Sequence, residues 1–571
     1  MKLDFRLPWF PQLLTCLYRP EGRSIKRIFS GIVRAYPQAA YFNLRSFYLE
    51  RRDVERALGS SSSNHMPSVA YAEDMMSLLR RSHPCLWSSL EAILEELIVK
   101  FRPSTEEEFL ATIVALLERA ESQIGSVAKS EEQNLSSSIQ KTLSKIAFKY
   151  FRPSDSSQKD DERAKRTAEF KDLYRESFES DFHVTANDAD DSGPSETLSL
   201  EEILSKIRDW KHKLQRQVLV MQPRIDLVKA SQPLAVFGVG DAPELWPGSC
   251  DPRDASPLLT HPDYGYEGDG SGPVSSASSA KAARTAANGA AAAASALAAR
   301  EGYGGEYGGG SSCIEIPGQY MPNSSCWADT RPSPELHIKM IRFDPSIEVV
   351  RRSDQLVRRI GILGSDGKHY YFLLQCALSY WTRTDERSSQ IHFVLDKLLR
   401  RNTLSARAQL SVQPNCVIPI AQRLRLVQEQ DSRTSLQEEY DSYCIRNDKD
   451  PEDAVSNYNE EVRKCLSELS SDLEGEEHEK ALQAKRLEVY EKVKAGEADA
   501  QDILARQLYL ALEGAESFFY FRRTFAQQWA IDCLLQYVFA VSERIPGRVV
   551  LIQNNGRVLS PNSRVVSTRV A

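Results

Sequence analysis

The chain has 571 residues, enough for about two to four domains with sizeable cores. Its 72 basic and 79 acidic residues leave a net charge of −7, so no global field argues for nucleic acid or an anionic membrane. The 10 cysteines stand singly, with no C-x-x-C pair, which fits reduced thiols and speaks against both a disulfide scaffold and a zinc site. Apolar runs fall far short of the ~20 residues a spanning helix needs. The opening Met1, Lys2, Leu3, Asp4 is not a signal peptide.

Residues 1–230 read as helices with polar connections. Trp9 to Leu14 opens an apolar segment, and Ile25, Ile28, Phe29, Ile32 and Val33 recur at helical spacing. Pro37 interrupts the pattern, which resumes from Ala39 to Tyr48. Leu86, Leu90, Ile93, Leu94 and Leu97 predict a buried stripe after Pro84. Ser104 with Glu107, and Ser199 with Glu202, predict capping boxes, in which hydroxyl and carboxylate each satisfy an orphan amide. The second box precedes Leu200, Ile203, Leu204, Ile207 and Trp210 on one side of a helix. Between them, residues 154–198 are polar, acidic and Ser-rich, and read as a connection. Such stripes pack antiparallel helices, and stacked pairs of them build solenoids. No fixed repeat period is visible, so the array is a diverged one.

Residues 248–312 change character, with an alanine tract over 290–299 and a Gly/Tyr-rich run after it. They read as a flexible insertion, and Tyr303 and Tyr307 as linker tyrosines rather than base-stacking residues. From Cys313 the chain becomes α/β. Strands are predicted over 347–350, 357–363 and 370–375, with Gly364, Ser365, Asp366 and Gly367 as a hairpin turn. A helix over 385–399 turns Ile391, Val394, Leu395 and Leu398 inward, and short strands follow over 417–420 and 424–427. Helices are then predicted over 434–443, 451–515 and 518–541, the last being the buried central helix of a large lobe. The Glu/Lys-rich stretch 459–498 reads as an exposed helix with i,i+4 pairs. Arg351, Arg352, Arg358, Arg359, Arg400 and Arg401 come nearest to a basic patch, and read as a solvated face.

The stretch 542–564 runs from a polar loop with Pro546 into an apolar strand, a Gly turn and a second strand, the layout of a lipid-kinase-like catalytic loop. Kinases of this class need an Asp-Arg-His-x-x-Asn loop and then Ile-Asp-Phe-Gly. The first Asp orients the hydroxyl nucleophile, while the Asn and the second Asp hold magnesium. The matching positions read Glu543, Ile545, Arg548 and Asn562. A cation at Arg548 repels magnesium, and neutral Asn562 stands where a hard cation wants carboxylate. Phosphoryl transfer also needs a lysine on the third strand of the small lobe. That position is Gln375, and Lys368 lies on the turn. Gly361 and Gly364 fit a hairpin better than a phosphate loop, and Asp385, Glu386 and Arg387 read as a solvated helix start. No catalytic residue, cofactor or metal is expected.

Further motifs carry a family resemblance. They include Phe10 to Leu17; Tyr36, Pro37, Gln38, Ala39, Tyr41 and Phe42; His83, Pro84 and Ser88 to Glu91; and the 198–210 helix. Glu315 to Tyr320, Arg342 and Phe343 with Ile347 to Val350, Arg423 to Val427, and Phe521 to Phe525 continue them. Through these the chain resembles the TRRAP family, pseudokinase members of the phosphatidylinositol-3-kinase-related kinases. The resemblance implies a mostly α chain with an α+β kinase-like C-terminal module: an α-helical, FAT-like solenoid followed by a bilobal PI3K/PI4K-like pseudokinase domain. It divides the chain into FAT-like repeats (1–76), an FRB-like helical region with its linker (77–230), the insertion (231–312), a small lobe and hinge (313–430) and a partial large lobe (431–571).

The same resemblance implies a non-catalytic scaffold of SAGA-type and NuA-four-type histone acetyltransferase complexes, located in the nucleus. Its partners would be acetyltransferase-complex subunits and transcription activators, with no direct nucleic acid and no membrane. The family architecture extends further at both ends, so a fragment is expected. The alternatives are an active serine/threonine kinase of the same superfamily and a helical interaction module with no chromatin role.

Overall fold

The computed structural model describes residues 7, 9–19, 22–57, 67–124, 132–152, 162–184, 198–237, 314–320, 334–352, 355–377, 384–412, 416–429, 433–451, 453–468, 476–496, 502–512, 514–539, 541–542, 546–553, 556–559 and 564–565. They fall into two compact units, one formed by 1–381 with 417–428 and the other by 382–416 with 429–571. No helix among the described residues is long and apolar enough to cross a membrane.

The first unit begins with helices α1 (Phe10–Thr15), α2 (Gly22–Ala35), α3 (Pro37–Ala57), α4 (Pro67–Ser82) and α5 (Pro84–Lys100). Proline at the first position of α5 costs nothing, because that amide has no helical partner, and its fixed φ favours the turn. The predicted stripe of α5 is buried throughout: Leu86, Leu90, Ile93, Leu94 and Leu97. Helix α6 (Thr105–Ile124) starts at the predicted capping box. The Ser104 hydroxyl accepts the Glu107 amide at 3.2 Å, and the Glu107 carboxylate accepts the Ser104 amide at 2.8 Å. Ser199 and Glu202 form the same box ahead of α9 (Leu200–Val220).

With α7 (Glu132–Phe151) and α8 (Glu162–Phe182), helices α6 and α9 form a bundle in which each helix packs on the other three. Helix α8 corrects the reading of 154–198 as a connection: its Phe170, Tyr174, Phe178 and Phe182, spaced at helical intervals among polar residues, are buried in the core. Its core is aromatic. Phe109 lies among Tyr150, Phe151, Phe170, Phe178 and Trp210, with ring centroids 5.1 to 6.2 Å apart. Edge-to-face geometry dominates there, as the ring quadrupoles prefer. Two single-turn helices, α10 (Leu227–Ala230) and α11 (Gln232–Ala235), follow the bundle.

An antiparallel sheet of seven strands completes the unit, ordered β1-β3-β4-β5-β7-β6, with β2 paired to β4. Its strands are β1 (Arg224–Asp226), β2 (Met340–Phe343), β3 (Ser346–Arg352), β4 (Gln355–Gly364), β5 (His369–Cys376), β6 (Val417–Ala421) and β7 (Leu424–Gln428). Strand β1 reaches β3 from the helical region and has no signal in the sequence, since three residues are too few for an alternation. The predicted hairpin joins β4 and β5, and Gly367 takes φ +77° at its turn. Gly361 leaves room for the Asp344 side chain, which an added Cβ would overlap.

The second unit holds α12 (Thr384–Arg401), α13 (Thr403–Arg407), α14 (Leu436–Arg446), α15 (Asp453–Glu468), α16 (Glu476–Gly496), α17 (Ile503–Ala511) and α18 (Ala515–Val538). Strand β8 (Arg433–Ser435) precedes α14, and β9 (Val541–Ser542) follows α18. Strands β10 (Val550–Ile552) and β11 (Val558–Leu559) join β8 in a small sheet ordered β11-β10-β8, and β12 (Arg564–Val565) pairs with β9. Two sequence expectations fail here. In α12, Ile391 and Leu398 are 37% and 55% exposed, while Ser389, Gln390 and Asp396 are buried. The polar side wins because Asp396 accepts hydrogen bonds from the Arg400 guanidinium at 2.7 Å and the Val412 amide at 3.1 Å. Helix α18 is not buried all round. Phe521 is buried and Phe518, Phe525 and Trp529 pack beside Leu551 and Val558, but Phe519, Tyr520, Leu534, Tyr537 and Val538 are exposed. Its apolar residues spread around the circumference, and only one side meets the small sheet.

Candidate functional site

Gln375, which the sequence leads one to expect at the lysine position, lies in the interior of the large sheet. Strand β5 has β4 on one side and β7 on the other, and the register sets Val357, Gln375 and Arg425 in one row. Directly opposed residues share a face, so the three side chains point the same way. They are 0%, 6% and 3% exposed. Along the same face Val357, Leu373 and Val427 form an apolar cluster with Val350 and Val417, while Arg359, opposite Leu373, is paired with Glu348.

Gln375 does not stand idle in that row. Its Oε1 accepts a hydrogen bond from Arg425 Nε at 2.9 Å. A buried guanidinium needs acceptors, because losing water without replacement is costly. The amide is one such acceptor, on the adjacent strand. The arrangement holds a fixed positive charge already engaged by the protein beside a neutral amide. Lys368 is on the hairpin, where its amide donates to Asp366 and its carbonyl accepts the Gly364 amide. It cannot serve the row.

The opposite face of the same strands is built differently. Arg358 of β4 is buried and pairs with the equally buried Glu107 at the start of α6. At the far edge of the sheet, Arg45 of α3 donates to the Ile420 carbonyl of β6 at 3.0 Å and grips Glu91 of α5 with Nη2 at 2.8 Å. The Tyr41 phenol donates to the same carboxylate. Burial pushes Glu91 upward, but the hydrogen bonds from Arg45 and Tyr41 outweigh it and hold the carboxyl below its ordinary range. Burial beside that charge drives the Tyr41 phenol far up. The helical region is therefore tied to the sheet by cations that lie under the strands. This corrects the reading of a solvated face for two of its arginines: Arg358 is buried, and Arg359 is half-buried, stacked 4.0 Å over Tyr371 and paired with Glu348, whereas Arg401 is exposed as expected and the side chains of Arg351 and Arg352 are not described. Strand residues of alternating charge and hydrophobicity look solvated in sequence, yet residues on both faces of β4, β5 and β7 are buried.

The final stretch keeps its predicted outline. Strands β10 and β11 pair across a tight connection closed by Gly556 at φ +71°, where an added Cβ would meet the Phe521 carbonyl. Arg548 ends the single helical turn Pro546–Arg548 just before β10, and its side chain is not described. Glu543, Ile545 and Asn562 lie outside the described residues.

Sequence reading missed Arg425 as a site residue, as well as the Glu107–Arg358 and Arg45–Glu91 pairs. A weak signal existed for the first: Arg425 sits between Leu424 and Leu426, both buried, in a strand buried on both faces. The other two join residues 251 and 46 positions apart, which no local pattern reveals.

Residues 375–560 match the family model of phosphatidylinositol 3- and 4-kinases. Over 97% of its length the chain is 20% identical to the SAGA complex/NuA4 acetyltransferase complex subunit TRA1 of Saccharomyces cerevisiae, covering 12% of that protein. It is 23% identical over 79% of its length to the human transformation/transcription domain-associated protein, covering 10% of it. Likeness to the DNA-dependent protein kinase catalytic subunit of Gallus gallus, at 26% identity, extends over only 40% of the chain and 5% of that protein. The chain thus spans only about a tenth to an eighth of the length of these two curated relatives of the TRRAP kind. The resemblance to the TRRAP family runs along nearly all of the chain. The fold class agrees with it: a helical region leading into a sheet-containing PI3K/PI4K-like module.

Proposed function

We propose that the chain is a catalytically silent, kinase-like scaffold segment that serves a nuclear histone acetyltransferase coactivator complex of the SAGA or NuA4 kind. The observation that carries the silent half is the buried Gln375 held by Arg425, where a kinase needs a lysine. Supporting it, the catalytic-loop positions read Glu543, Ile545, Arg548 and Asn562, a set without the magnesium carboxylate or the nucleophile-orienting Asp. The scaffold half draws on likeness to acetyltransferase-complex subunits over 97% of the chain. Within this reading, residues 1–76 act as FAT-like repeats and 77–230 as an FRB-like region. Residues 313–430 and 431–571 are the small lobe with hinge and the partial large lobe, and 231–312 is an insertion. The partners are complex subunits and, through the assembled complex, transcription activators.

The likeness to a DNA-dependent protein kinase subunit favours the alternative, an active serine/threonine kinase. It stops at 40% of the chain, and that alternative has no lysine at position 375 to use. The scaffold reading is tested by purifying the tagged protein from nuclei of its own cells and assaying the eluate for transfer of acetyl groups to histones. Co-purifying acetyltransferase activity, stable to washing at moderate salt, is the expected result. An eluate free of such activity, from cells whose acetyltransferase complexes are intact, sinks it.

A further inference from the structure

We infer that Arg425 bars a lysine from position 375, so that the silent site is locked by two residues on neighbouring strands and not by the loss of one. This rests on reading position 375 as the phosphate-gripping position, and it names the residue that enforces the silence there.

Residues 375 and 425 face each other across the β5–β7 ladder, and their side chains leave the sheet on the same side. Both are almost wholly buried, and Arg425 Nε lies 2.9 Å from Gln375 Oε1. A lysine at 375 would change that contact twice. It would put an ammonium within a few ångströms of a guanidinium in a place with little water to screen them. It would also exchange an acceptor for a group that only donates, leaving Arg425 Nε facing another donor. The arginine cannot escape by giving up its proton, since its pKa is too high for that in any protein setting. A lysine could be neutralised there, but a neutral amine does not grip a phosphate. In the adjoining row Leu373 and Val427 are apolar, and Arg359, opposite Leu373, is a further cation whose guanidinium is already paired with Glu348.

Gln375 thus has a positive role. It supplies an oxygen that helps Arg425 to be buried, and the pair stitches β5 to β7 through side chains as well as through the backbone ladder.

The test is a double-substitution cycle on the whole chain, read by thermal unfolding without nucleotide. The variants are Gln375→Lys, Arg425→Gln, both together, and Gln375→Met as the uncharged control. Gln375→Lys is expected to lower Tm by roughly 3 °C or more, and clearly further than Gln375→Met. In the Arg425→Gln background the same lysine is expected to cost nothing or to raise Tm, because the amide introduced on β7 can accept from it. Should Gln375→Lys fail to fold, recovery of a folded protein in the double variant carries the same meaning. An equal loss from Gln375→Lys in both backgrounds overturns the inference. So does a loss from Gln375→Met as large as that from the lysine, or a double variant that also fails to fold. Because no nucleotide enters this cycle, magnesium-ATP binding by the unaltered chain would sink the silent-site reading without moving these results. Failure of the cycle would leave that reading standing.

Discussion

Glu107→Leu should destabilise the chain by about 3–5 kcal/mol, because it leaves the Arg358 guanidinium buried without its counter-charge. The two side chains are each only 7% exposed, so solvent screens little of the loss. Glu107 also closes the α6 capping box, and Ser104→Ala, which disturbs the cap alone, should cost only about 1 kcal/mol. The difference isolates the ion pair. Among the described residues Arg358 Nε has no hydrogen-bond partner, so the pair is imperfectly satisfied there. Replacing both partners with apolar residues, Glu107→Leu with Arg358→Met, should therefore recover most of the stability. Chemical denaturation of the four proteins decides it. A single Glu107→Leu loss no larger than that of Ser104→Ala would mean that the pair does not tie α6 to β4.

Phe109→Ala should cost about 3–5 kcal/mol through the cavity it opens. Phe109 is fully buried and touches five rings drawn from α7, α8 and α9, so no single neighbour can collapse into the space. Truncating Leu173, on the exposed side of α8, should change stability by less than about 0.5 kcal/mol. Hydrogen exchange should show protection lost in α6 through α9 together in the Phe109 variant. Loss confined to α6 would show that the four helices do not share one core.

What the sequence made legible follows from the range of the forces involved. Local signals worked: both capping boxes formed as expected, since hydroxyl and carboxylate are three residues apart. The β4–β5 hairpin and the Gly556 connection were readable because positive φ selects glycine. Periodicity located α5 and its buried face. It failed for α12 and α18, where the buried side was decided by what packs against it: Asp396 needed its partners, and α18 met the small sheet on one side only. The candidate site was half legible. Gln375 could be placed in its strand from the pattern, and it lies in β5 as expected. Arg425, which gives the amide its meaning, could not be found from periodicity, because a buried cation in a strand is recognised only by what accepts from it. The same is true of Arg358 and Arg45.

A kinase-like module with Gln375 and Arg425 in this row should not bind nucleotide for phosphoryl transfer. The measurement closest to that claim is a titration of the folded chain with ATP, with and without magnesium, read by thermal shift and by calorimetry. No magnesium-dependent rise in Tm is expected, and no heat of binding up to millimolar nucleotide. A magnesium-dependent rise that Gln375→Ala abolishes would contradict the claim, and would make the Gln375 row a working nucleotide site.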